Sequence, residues 1–288
     1  MDYSKLIDLH THTSFSPDGE DPPELMLERA AELGLAAYAV TDHCDCNYWY
    51  PADSCSDCAS ELKDIEMYGA GQYAEKSIAA QSRLKELYGG RINFLCGIEL
   101  GQPLQNLENA EKLVCDPRLD FVIGSHHQNK GQDDFYFLKY NEMSLCEIYS
   151  LIDKYFGEML DMCRWGKFDV LGHLTYPLRY IEGDYGIKLD VSRYEEIIRE
   201  VFRVLIQNGK GIEINTSGLR QKYGRTFPTL EYVRTYREMG GEILTVGSDA
   251  HRVCDLADGI GAGAEIAKAA GFRYLTYFKE RKSVFVRI

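Results

Sequence analysis

Short apolar runs alternate with longer amphipathic ones along the whole chain. "LIDLHTH" precedes "PPELMLERAAELG", "AAYAVTDH" precedes a long loop and "GQYAEKSIAAQSRLKELYGG", and "INFLCGIEL" precedes "LQNLENAEKLVC". "LDFVIGSHH" leads through a loop to "SLCEIYSLIDKYFGEMLDMCRWG", and "FDVLGHL" through another to "VSRYEEIIREVFRVLIQNG". "KGIEINTS" with "PTLEYVRTYREMGG", then "EILTVGSDAH" with "CDLADGIGAGAEIAKAAG", complete the series. The tail "FRYLTYFKERKSVFVRI" reads as two short closing strands. The short runs read as strands and the longer ones as helices, with Gly34 placed to stop the first helix. Seven β/α units follow from this reading, and such alternation implies a parallel sheet. An open doubly wound sheet usually carries a G-x-G-x-x-G fingerprint after its first strand. Here that position reads "HTHTSFSPDG". A barrel is therefore expected, with fewer than eight strands compatible, and residues 1–288 are expected to form one domain.

The balance of 288 residues is that of an ordinary globular chain. No run has the length of a membrane span. The start "MDYSKLIDLHTH" lacks a basic region followed by an apolar stretch, so a cytoplasmic location is expected. A formal net charge of −13 argues against nucleic acid as a partner, which needs a basic face. It leaves room for a small phosphorylated substrate at a locally positive site. Oligomeric state is not legible.

Nine cysteines cannot all pair, and reduced thiols are expected. Cys44, Cys46, Cys55 and Cys58 read C-x-C then C-x-x-C, a partial likeness to a structural zinc module. The simpler expectation is a long loop over the barrel mouth, in which Tyr48, Trp49 and Tyr50 wall the substrate or pack the loop down.

The chemistry gathers elsewhere. His10, His12, His43, His126, His127, His173 and His251 all lie at ends of inferred strands. One such histidine is ordinarily a hydrogen-bonded core residue; seven together at barrel rim positions point to a site. His10 and His12 are two apart on a strand and so face the same way. Asp249 and His251 repeat that spacing in the last unit. Glu99 ends the third strand, where a buried carboxylate needs a partner or a metal. Asp18, in "FSPDGE", reads locally as a turn and joins the site only if the first loop folds back. Imidazoles with carboxylates suit zinc, manganese or iron, and the donors outnumber the needs of one ion.

The stretches "DLHTHTSFSPDGE", "AVTDH", "GIEL", "VIGSHH", "LGHL", "EINTSGLR" and "GSDAH" resemble, in order, the motifs of the polymerase and histidinol phosphatase (PHP) superfamily. Within it they resemble most the stand-alone histidinol-phosphate phosphatases. The resemblance runs from Asp8 to His251. It implies a distorted (β/α)7 TIM-like barrel with three divalent metal ions at the C-terminal rim of the strands. It assigns His10, His12, Glu99 and Asp249 to a first ion, and Glu99, His127 and His173 to a second. Asp18, His43 and His251 go to a third. "GSHH" leaves a choice: the G-S-x-H spacing selects His127, and a one-residue shift selects His126.

The implied reaction is attack of a metal-bridging hydroxide on L-histidinol phosphate, a step of histidine biosynthesis. Glu99, Asp249 and His251 are the expected catalytic groups. Residues alone lead to the same class, because clustered metals activate water and neutralise phosphoryl charge. Arg179 and Arg220 follow rim strands and are expected to grip phosphate with their planar forks. Asp45 is a possible leaving-group acid or a plain loop residue. The alternatives are a PHP phosphoesterase for another small monoester or nucleotide, a non-catalytic metal domain, and an amidohydrolase. In an amidohydrolase Glu99 would stand where a carbamylated lysine is usual.

Overall fold

A computed structural model describes residues 2–46, 72–88 and 90–288. Its main sheet has eight strands: β1 (Ile7–Asp8), β2 (Ala37–Val40), β3 (His43–Asp45), β4 (Phe94–Gly101), β5 (Phe121–Ser125), β6 (Val170–Leu171), β7 (Gly211–Asn215) and β8 (Leu244–Gly247). They pair in parallel in the order β1-β2-β4-β5-β6-β7-β8, while β3 pairs β4 beyond the end of β2. Thus β2 and β3 are two segments of one stave, interrupted at Thr41 and Asp42. Asp42 turns inward there and accepts hydrogen bonds from the Thr13 N–H at 2.6 Å and the Ser77 hydroxyl at 2.6 Å.

The sheet closes on itself. The Leu9 N–H donates to Val246 O at 3.0 Å and the Asp249 N–H to His10 O at 2.7 Å. Thr11 bridges Ala250 in parallel. Asp8 locks this seam, taking the Ser248 N–H at 2.8 Å, the Ser248 hydroxyl at 2.6 Å and the Ala257 N–H at 2.9 Å. Counting β2 and β3 as one stave, seven staves make the expected distorted (β/α)7 barrel.

The strands are buried along their length, β4 at every one of its eight positions, as befits a parallel sheet covered on both faces. Helices supply the outer layer through one apolar stripe each. In Leu145–Trp165 that stripe includes Ile148, Leu151, Ile152, Tyr155 and Met159, all buried. The helix begins at a Ser144–Glu147 capping box and ends at Gly166 in the left-handed conformation. A cap of this kind is worth about 1 kcal/mol, less than the ~1.5–3 kcal/mol for burying one large apolar side chain. Packing therefore outweighs capping. Gly34 ends the helix Pro23–Leu33 as expected, at φ 71°.

The closing strands β9 (Tyr274–Lys279) and β10 (Lys282–Arg287) form an antiparallel hairpin. Its two-residue turn, Glu280–Arg281, has positive φ at both positions, which suits the twist of paired strands. The turn docks beneath β5 and β6. Glu280 N–H donates to Asp120 Oδ1 at 2.9 Å, and Arg281 Nε to Asp169 Oδ2 at 2.6 Å. This hairpin covers the N-terminal end of the barrel. No described helix is long and apolar enough to cross a membrane. Cys55, Cys58, Tyr48, Trp49 and Tyr50 lie outside the described residues.

Candidate metal centre

Parallel strands end at the same rim, so side chains from distant sequence positions meet there. Glu99, near the end of β4, is fully buried and lies at the middle. Around it, His173 Nε2 stands 2.8 Å from Oε1, His127 Nε2 3.1 Å and His10 Nε2 3.3 Å. On Oε2, His43 Nδ1 lies at 2.7 Å and His12 Nε2 at 3.6 Å. Asp249 Oδ1 closes the far side, 3.3 Å from His12 Nε2 and 3.8 Å from His10 Nε2. The donors group as His10, His12 and Glu99, as His43, Glu99 and His127, and as His12, His43 and His251, within 4.8 Å in each set.

The first loop does fold back. Glu20 N–H donates to His251 O at 2.9 Å, which brings Asp18 to 3.1 Å from His251 Nε2 and 3.6 Å from His43 Nε2. Asp18 is the exposed member, its side chain 58% accessible, so this edge of the cluster opens to solvent. His43 spans two groups, with Nδ1 on Glu99 and Nε2 towards Asp18.

Do these residues fit metal ions? Nine buried side-chain N or O atoms lack a hydrogen-bond partner among the described residues. Five of them are His10 Nε2, His12 Nε2, His43 Nδ1, Glu99 Oε2 and His251 Nε2, and all five converge on this cluster. Unpaired buried polar atoms are costly, and mixed N/O donors at one locus meet the needs of zinc, manganese or iron. The donor set fits.

Charge in the metal-free cluster is shared. Burial works against Glu99, but His127, His10 and His43 hold its carboxyl well below the usual range. Burial alone would depress His127; Glu99 and Asp45 outweigh it and raise the imidazole to about 10. His12 is pushed down to about 3 by burial and by His251 and His43.

Outer contacts fix three of the rings. Glu213 Oε1 sits 2.8 Å from His10 Nδ1, and Glu213 Oε2 accepts the His173 N–H at 3.0 Å. Ser16 Oγ lies 3.1 Å from His12 Nδ1 and itself donates to Asp42. Asp45 Oδ1 lies 3.1 Å from His127 Nδ1. Carboxylates and hydroxyls in this position orient an imidazole and leave its other nitrogen to a metal. Gly247 makes room for the His10–Glu213 pair, since a Cβ there would overlap both. Glu213 escaped the sequence reading, although "GIEIN" carries the same buried acid in an apolar strand as "CGIEL". The structure gives Asp45 a partner, His127.

The two histidines of "GSHH" face different ways. His127 points into the cluster. His126 points away, its Nε2 donating to Asn129 Oδ1 at 3.2 Å, and burial lowers it to about 4. Alternation also separates Cys44 and Cys46 from the chemistry. His43 and Asp45 face the mouth half-buried, whereas Cys44 and Cys46 between and after them are buried on the opposite face.

The two arginines part company. Arg220 donates to Ser248 O and Asp249 O, both at 2.6 Å. It clamps the backbone of Asp249, which has the left-handed φ of 54°. Arg179 lies over the rings of Tyr176 and Tyr180, at 5.5 Å and 5.1 Å. Its guanidinium makes no hydrogen bond or ion pair among the described residues. Tyr176 in turn packs on His127 and His173, with ring centroids 5.2 Å and 4.9 Å apart.

The PHP domain family profile matches residues 8–217. The chain is 26% identical over 285 residues to a histidinol-phosphatase of Lactococcus lactis, covering 96% of each. It is 25% identical over 273 residues to a probable histidinol-phosphatase of Thermotoga maritima, covering 94% of each. A solved structure of the Lactococcus lactis histidinol phosphate phosphatase, complexed with zinc, L-histidinol and phosphate, superposes with a TM-score of 0.69. Sequence identity there is 24%, with 97% of this chain and 99% of that one covered, and the likeness speaks for the fold.

Proposed function

The chain belongs to the PHP domain family, and from that premise we propose that it is a histidinol-phosphatase, hydrolysing L-histidinol phosphate to L-histidinol and phosphate. The observation that carries the reading is the convergence of five imidazoles on buried Glu99. The full-length likeness to curated histidinol-phosphatases supplies the substrate.

His10, His12, Glu99 and Asp249 would hold a first ion, and Glu99, His127 and His173 a second. Asp18, His43 and His251 would hold a third, which His12 also borders. The three would be zinc, manganese or iron. When bound, such ions supply an activated water near neutral pH and offset charge on the phosphoryl oxygens.

The chain's own residues do the remaining work. Glu213, Ser16 and Asp45 hold His10, His12 and His127 with one nitrogen turned to the centre. Arg220 fixes the Asp249 backbone and so aims its carboxylate. Arg179, free of hydrogen-bond partners among the described residues, grips the phosphate with its fork. Tyr176 and Tyr180 hold that fork in place by stacking on it.

The test is phosphate release by purified protein supplied with zinc, manganese or iron. We expect kcat/KM for L-histidinol phosphate to exceed that for nucleoside and sugar monophosphates by at least about a hundredfold. Equal or lower turnover of L-histidinol phosphate would assign the same chemistry to another small monoester or a nucleotide. Elemental analysis of the purified protein is expected to find three metal ions per chain.

A further inference from the structure

The loop after β5 carries a carboxylate to the mouth that no metal position uses. Phe135 N–H donates to His127 O at 3.1 Å, which pins the preceding residue, Asp134, beside the cluster. Asp134 Oδ1 accepts from the Tyr136 N–H at 2.8 Å and, more weakly, from the Tyr176 hydroxyl at 3.4 Å. Oδ2 accepts no hydrogen bond, and no lysine or arginine pairs with the group, among the described residues. This is unlike the other inward carboxylates outside the centre. Asp8, Asp42, Asp120 and Asp169 each collect donors from the chain on both oxygens or pair with a cation. Burial raises Asp134 to about 6, against the pull of His127, so the site holds an acid that a cation would relieve.

Arg179 stands on the same wall. Tyr176 and Tyr180 share a hydroxyl contact of 2.9 Å, with Arg179 stacked on their rings and Asp134 at the Tyr176 hydroxyl. The guanidinium and the carboxylate form no ion pair with each other among the described residues. Two opposite charges held apart beside one reaction centre match a ligand that carries both signs.

L-Histidinol phosphate is such a ligand, with an ammonium on the carbon next to the phosphate-bearing methylene. Its imidazole is largely neutral above pH 7, whereas the ammonium keeps its charge. We propose that Asp134 is a specificity-determining residue that receives the substrate ammonium while Arg179 holds the phosphate. The inference rests on the histidinol-phosphatase reading and deepens it.

The experiment compares L-histidinol phosphate with 3-(imidazol-4-yl)propyl phosphate, the same ester without its amine. Wild type and D134N are measured at matched metal content, with D134E as the conservative variant. Wild type is expected to prefer the amine-bearing ester by about thirtyfold in kcat/KM, the scale of one charge-assisted hydrogen bond. D134N is expected to bring that ratio close to one, mainly through KM, and D134E to restore part of it. An unchanged ratio in D134N overturns the role of Asp134 and leaves the function standing. Equal loss of kcat on both esters also overturns it, since a proton donor to the leaving group would behave that way. A wild type that hydrolyses neither ester overturns both readings.

Discussion

The two ends of the barrel bury acids to opposite effect. At the N-terminal end, Asp120 takes the Cys96 N–H at 3.0 Å, the Glu280 N–H at 2.9 Å and the Lys85 ammonium. Asp169 takes the Val122 N–H at 2.8 Å and Arg281 Nε at 2.6 Å. Every partner is a donor that cannot leave, so these acids are fastenings for the hairpin and the strand starts. At the C-terminal end Glu99 has, among the described residues, one hydroxyl donor, Ser125 at 2.7 Å, and otherwise faces imidazole nitrogens. An imidazole can give up its proton and offer a lone pair; an arginine cannot. The chemistry of the neighbours, not burial, separates a structural acid from one able to hold a metal.

The sharpest way to break that contrast is to neutralise one acid at each end. Glu99→Gln should lower kcat by about 10⁴-fold or more and strip metal, because the negative charge at the middle of the donor set goes. Asp120→Asn should leave kcat/KM within about threefold yet lower Tm by several degrees, roughly 2–4 °C per kcal/mol lost in a chain of this size. Thermal melts and steady-state kinetics on both variants decide the matter; a reversed pattern would sink the comparison.

The adjacent histidines sharpen it next. His127→Ala is expected to cost about 10²–10³-fold in kcat/KM with metal loss. His126→Ala should cost stability, through its buried bond to Asn129, and little activity. Elemental analysis beside kinetics separates the two.

A smaller effect is expected one layer out. Glu213→Gln should weaken metal binding by about 10–100-fold, the usual cost of losing a carboxylate behind a ligating histidine. Chelator competition measures it, and an unchanged affinity would remove Glu213 from the centre.

The finest test uses pH. His127 holds its proton through neutral pH in the metal-free protein, because Glu99 and Asp45 raise it to about 10 against the effect of burial. A metal at its Nε2 must displace that proton. Zinc added to metal-free protein at pH 7 should therefore release protons, and apparent affinity should rise with pH up to about 10 and fall in acid. Calorimetry in buffers of different ionisation enthalpy reads the number released; none released would contradict the charge sharing around Glu99.

Much of this was legible beforehand. Strand-helix alternation fixed the order of the staves, and the i, i+2 spacing of His10 with His12 and of Asp249 with His251 put each pair on one face. Asp18 could be read only as a conditional member, because its place depends on a loop pinned by the Glu20–His251 backbone bond. Arg179 and Arg220 looked alike as residues following rim strands, and only the fold shows Arg220 bound to the carbonyls of Ser248 and Asp249. Period two says that His126 and His127 face opposite ways without saying which faces inward.

By itself, then, the sequence determined the repeating units, the residue types at each strand end and hence a rim able to bind metal. Those depend on local periodicity and side-chain chemistry, which a linear chain displays. The tertiary structure decided which atoms meet. Glu213 reaches His10 across 203 positions, Asp8 reaches Ser248 across 240, and Asp134 and Arg179 come to one tyrosine wall. Such contacts follow from closing a parallel barrel, which brings every strand end to one rim whatever the distance along the chain.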